Sequence, residues 1–164
     1  MEEHQNPEDW VDAKSIKTRL LQYREKERDI DNQIERLDAL AAKLYGVGSP
    51  QITDMPKGSS PSGDRTLSQI ARKQKLEEQV KEMINEQADE QKWIESVLGR
   101  LSIADEKAVI RMRYIDGEKW DNVSELLFGS KDDYEEKRDS YLRRVTKLHG
   151  RALINMARII EQEK

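Results

Sequence analysis

Between Ser140 and Ile160 the chain carries Arg143, Arg144, Lys147, Arg151 and Arg158 and no acidic residue. Arg143, Lys147 and Arg151 are four apart, so on a helix they share one face. Thr146 and His149 flank that face, and Val145, Leu148, Ala152 and Met156 form the opposite, apolar one. The chemistry offered is anion recognition. Guanidinium and ammonium groups neutralise phosphates, and Arg, Lys, Thr and His also reach base edges. A helix with a buried stripe and a basic outer stripe, following two short helices, is what a helix-turn-helix places in the major groove of double-stranded DNA. The candidate DNA-binding residues are therefore Arg143, Arg144, Thr146, Lys147, His149 and Arg151. The competing reading of the same stripe is a solvated helix face.

Other chemistry is poorly served. The chain has 164 residues, no Cys and two His, His4 and His149. That excludes disulfides and thiolate metal sites. No metal-binding His pair, P-loop or nucleophile elbow is present. Carboxylates are abundant but scattered along helical surfaces. The expectation is a non-enzyme with no catalytic residues, no cofactor and no metal. The formal net charge is −4, yet residues 140–164 hold six basic and two acidic residues, so the acidic balance hides a polarised chain. No apolar run approaches the ~18 residues of a membrane span, and no N-terminal apolar stretch looks like a secretory signal. The expectation is a soluble, cytoplasmic chain with no membrane partner.

The elements that must position the basic stripe are helical. Asn6 suits a helix cap, with Pro7 in the first turn. From Ile16 the positions Ile16, Leu20, Tyr23, Glu27, Ile30, Ile34, Leu37, Ala41 and Leu44 alternate by four and three, and eight of these nine are apolar. That is a heptad seam, spanning about 43 Å at ~1.5 Å per residue. Residues 46–63 hold four Gly and three Pro, with Ile52 and Met55 as an apolar patch, which predicts a loop over 46–65. The capping-box pattern Thr66–Gln69 predicts the next helix start. Its seam is Leu76, Val80, Met83, Gln87, Glu90, Ile94, Val97 and Leu101, interrupted at Gln87 and Glu90. Two such helices predict a long antiparallel coiled-coil hairpin over 1–101, although the same seams would also pair with a second chain. Trp10 and Trp93 are placed to pack on each other across it, or to dock a partner.

Residues 102–164 read as a separate unit. Ser102–Asp105 suits a capping box, and the following short helix would bury Val109, Met112 or Arg113, and Ile115. Asp116-Gly117 makes a sharp turn. A second short helix over 119–128 carries Trp120, Val123, Leu126 and Leu127 at helical spacing, and Gly129 ends it. The acidic stretch 130–139 fits loop or helix. The fold class is all-α.

Several of these residues also carry a resemblance. Residues 104–115, then Asp116-Gly117, then Lys119-Trp120-Asp121-Asn122-Val123 resemble the first two helices of region 4 of bacterial sigma factors. Val145, Leu148, Arg151, Ala152, Leu153 and Met156 match the recognition-helix pattern of that region. Residues 149–153 and 113–117, with the loop Thr53-Asp54-Met55-Pro56-Lys57-Gly58, resemble phage and prophage proteins similar to the ArpU/RinA-type late-gene regulators. The resemblance implies a phage transcription regulator, an activator of late genes working with host RNA polymerase in the bacterial cytoplasm, at the nucleoid. It places Arg143, Arg144, Thr146 and Lys147 where sigma factors contact the promoter, and makes Arg151 a phosphate contact. The 130–139 insertion and Gly150 inside the recognition helix depart from the sigma pattern. The hairpin would form a homodimer or contact polymerase. Two alternatives use the same parts: a small-terminase-like DNA-packaging subunit, and a sigma-mimicking adaptor that binds polymerase alone.

Overall fold

A computed structural model describes residues 7–46 and 62–163, with side chains over 12–46 and 63–163. The order is α1 (Pro7–Tyr45), α2 (Ser62–Gly99), α3 (Ala104–Ile110), one π-helical turn (Arg111–Ile115), α4 (Trp120–Phe128) and α5 (Arg138–Glu161). The fold is all-α, with no strand among the described residues. None of the helices is long and apolar enough to cross a membrane. His4, the Asn6 cap, the Trp10 side chain and the loop patch Ile52–Met55 lie outside the described residues.

The chain divides into two compact units, residues 1–26 with 88–164, and residues 27–87. That is not the expected boundary at residue 101, because the base of the hairpin shares a core with the C-terminal helices. Ile16, Leu20 and Tyr23 of α1 meet Ile94, Val97, Leu98 and Leu101, and the same cluster takes in Ile110, Tyr114, Ala152, Leu153 and Met156. The two long helices run antiparallel here. The Arg19 guanidinium donates to both oxygens of Glu90 at 2.6 and 3.0 Å and stacks on Trp93 at 3.3 Å from the ring centroid. Arg19 holds the Glu90 carboxyl below the usual carboxylate range, so the Glu90 interruption is a cross-helix ion pair. The Arg111 guanidinium clamps Glu95 in the same two-pronged way, at 2.6 to 3.1 Å.

A second core holds α4 against α5. Val109, Val123, Phe128, Tyr134, Val145 and Leu148 are buried, with Met112, Trp120, Leu127 and Tyr141 packed on them. Leu126, at helical spacing with Trp120, Val123 and Leu127, is 62% exposed, whereas Phe128 is buried. The buried face of α3 and the π turn is wider than expected, with Met112 and Ile115 partly buried against the two cores. Glu106, Ile110 and Tyr114 are fully buried at i, i+4 spacing, alongside Val109. The charged Glu106 breaks the apolar pattern and conceals that stripe from a hydrophobicity reading. The π turn then closes with the Asp116 N–H donating to the Arg111 carbonyl at 2.9 Å. Gly117 follows at φ +75°, in the left-handed region that favours Gly.

In the other unit, Ile30, Leu76 and Val80 are buried, and the Lys73 ammonium lies 5.5 Å from the centroid of the Tyr45 ring. Ile34, expected in the seam, is 37% exposed, while Gln87, expected to interrupt it, is buried. Two helix starts also differ from expectation. α2 begins at Ser62, so Thr66 lies inside it. α3 begins at Ala104 with Ile103 at its cap position and no side-chain cap bond, so Ser102 does not cap it. Propensity over four residues is weaker than packing of the whole helix, which sets both ends.

Candidate nucleic-acid interface

The segment before α5 sets its direction. Residues 129–137 form a series of turns, neither open loop nor helix. Tyr134 is buried in the second core and its hydroxyl donates to the Ser124 Oγ at 3.3 Å. The Asp133 carboxylate accepts from the Lys137 ammonium at 2.8 Å and from the Tyr141 hydroxyl at 2.6 Å. Those bonds, the Lys137 bond first, hold the Asp133 carboxyl below its ordinary range. The insertion is thereby pinned to α4 and α5 at two points, and α5 starts at Arg138, two residues before the expected position.

On α5 the inward stripe is wider than the sequence pattern suggested. Val145, Leu148, Ala152 and Met156 are buried as expected, and so are His149, Leu153, Ile154 and Ala157. Arg143, Arg144, Thr146, Lys147 and Arg151 are exposed. His149 is the correction among the candidate contacts. It is 7% exposed, shares a 2.8 Å hydrogen bond between its Nε2 and the Tyr114 hydroxyl, and takes the edge of Trp120 at 4.9 Å between centroids. Its imidazole is buried at the junction of the π turn, α4 and α5, with only its edge bordering the groove between α1 and α5. Burial, then the charges of Lys17 and Arg113, push its pKa down to about 4. Burial likewise pushes the Tyr114 hydroxyl up to about 12. Both groups are neutral at pH 7, which suits a dry hydrogen bond.

The exposed cations are partly pre-set. The Arg144 guanidinium lies over the Phe128 ring at 4.8 Å, which limits its rotamers. The Arg151 Nε is 3.6 Å from the Glu106 Oε1, while the other Glu106 oxygen accepts from the Asn155 Nδ2 at 2.9 Å. Glu106 was missed as a site residue, since an acidic side chain on a short helix reads as surface. The Thr146 hydroxyl donates to the Leu142 carbonyl at 3.1 Å, so it remains available as an acceptor. Where a Cβ would sit on Gly150, no atom lies within 4 Å, so no close approach within the chain requires the glycine.

Residues 49–146 match the family model described as a protein of unknown function, DUF1492. The chain belongs to this family. The match ends on α5, so Arg143, Arg144 and Thr146 fall inside the family segment while Lys147 and Arg151 lie beyond it. No curated protein and no solved structure matches the chain. Among the described residues no cluster of His, Asp or Glu side chains is arranged to hold a metal ion.

Proposed function

We propose that this chain is a sequence-specific, DNA-binding transcription regulator, an activator of phage late genes that works with host RNA polymerase at the bacterial nucleoid. One observation carries the reading. α5 presents Arg143, Arg144, Thr146, Lys147 and Arg151 outward from a helix whose opposite side is buried against α3 and α4. Such a helix enters a major groove without disturbing its own core. Arg143, Arg144, Thr146 and Lys147 then face base edges and phosphates, and Arg151 takes a flanking phosphate. His149 is withdrawn from the contact set and acts as packing. A single module of this size has limited affinity, so pairing of two hairpins or a polymerase contact supplies the remainder. The reading assigns no catalytic step and no cofactor.

The test is equilibrium binding of the full chain to a fluorescein-labelled, mixed-sequence duplex of about 30 bp at 50 mM salt. Arg143→Gln/Lys147→Gln should weaken binding about tenfold or more, because two phosphate-neutralising charges are lost. Both side chains are exposed, so helicity should be unchanged. Undiminished affinity in a fully helical double variant would remove α5 from the interface.

A further inference from the structure

A groove of about 790 Å³ runs between the first turns of α1 and the middle of α5, within a single unit. Its rim is Lys14 and Lys17 on the α1 side and Lys147 and Arg151 on the α5 side. No acidic residue lines it, in a chain with 33 Asp and Glu. Its floor residues Ala13, Leu153 and Ile154 are each at most 8% exposed. The groove wall is largely aliphatic, and its charge stands at the rim as the ammonium and guanidinium groups of Lys14, Lys17, Lys147 and Arg151. Lys14 and Lys17 are exposed, and no ion pair ties Lys14, Lys17 or Lys147 to a carboxylate among the described residues. Gly150 lies in the groove wall. Four cations with one partial carboxylate partner, Glu106 beside Arg151, make the rim of the groove complementary to a polyanion.

We propose that Lys14 and Lys17 form a second phosphate-binding wall, so that the sugar-phosphate backbone of the bound duplex lies along this groove between α1 and α5. The inference rests on the DNA-binding reading above and adds α1, otherwise a hairpin helix, to the footprint. The charge of Lys17 acts on His149, on the inner side of α5. A free acidic polypeptide is the competing occupant of such a groove.

The experiment is a salt titration of binding to the same mixed-sequence duplex. It uses the full chain, Lys14→Gln/Lys17→Gln, and Arg143→Gln/Lys147→Gln, with sodium poly-glutamate as a competitor. Each phosphate contact contributes about 0.9 to the slope of log affinity against log salt. Lys14→Gln/Lys17→Gln should lower the slope by about 1.8, so that between 50 and 200 mM salt its affinity falls about 12-fold less than that of the unaltered chain. An unchanged slope in that variant, with Arg143→Gln/Lys147→Gln still impaired, overturns the second wall and leaves the α5 reading standing. No binding by the unaltered chain overturns both. Displacement of the duplex by poly-glutamate at equal charge concentration assigns the groove to acidic polypeptide and overturns the inference.

Discussion

Acidification should destabilise this protein through one buried imidazole, and His149→Gln should remove that effect. His149 has a folded pKa of about 4 against about 6.5 when unfolded. The unfolded chain therefore binds a proton that the folded chain refuses as pH falls below 6.5. Stability attached to this group is full above pH 6.5, declines through the window from 6.5 to 4, and levels off below it. From the two pKa values the loss is about 2 kcal/mol at pH 5 and approaches about 3 kcal/mol below pH 4. Gln is polar, does not titrate, and has an amide group to meet the Tyr114 hydroxyl. Urea unfolding at pH 7.5 and 5.0, followed by tryptophan fluorescence, measures the difference, since Trp120 packs on His149. The unaltered chain should lose about 2 kcal/mol more than His149→Gln between the two pH values. Carboxylate titrations are common to both chains and cancel. Equal losses would refute the burial of His149 as a neutral base, and with it the removal of this residue from the DNA contacts.

Other expectations concern the backbone and the core. Gly150→Ala should stabilise the protein by up to about 1 kcal/mol, because a helix-interior Gly is replaced where a Cβ meets nothing; calorimetry reads the sign. Gly117→Ala should destabilise by at least about 1 kcal/mol, since the residue sits at φ +75° with the Arg24 side chain against it. Leu20→Ala should cost about 2 to 5 kcal/mol, whereas Leu21→Ala should change stability by about 0.5 kcal/mol or less. Leu20 is fully buried and its neighbour is 47% exposed, and urea midpoints compare the pair.

The all-helical class was readable because heptad spacing survives a charge-rich composition. Leu20, Tyr23, Leu76, Val80 and Ile94 are core residues on both readings. Helix starts were less readable, since the Thr66 and Ser102 capping patterns are local signals that tertiary packing overrode. The unit boundary was hidden for a different reason. Which apolar residues of one stripe meet a distant helix is not a periodic property, so nothing in the seam from Ile16 to Tyr23 distinguishes it from the seam beyond. On α5, four-residue spacing correctly separated Arg143, Lys147 and Arg151 from Val145, Leu148, Ala152 and Met156. It failed at His149, a polar residue at the edge of the stripe, whose burial depends on Tyr114 and Trp120 from other elements. Lys14 and Lys17 escaped notice because a lysine on a long charged helix carries no local mark of the helix it faces.

The proposed function requires that α5 read a DNA sequence. In vitro selection of random duplexes by the full chain at near-physiological salt is the decisive experiment. A defined motif should be enriched, and the enrichment should be lost when Arg143→Gln/Lys147→Gln is used in place of the unaltered chain. Retention of duplex with no enriched motif, or an identical motif from the double variant, would contradict it.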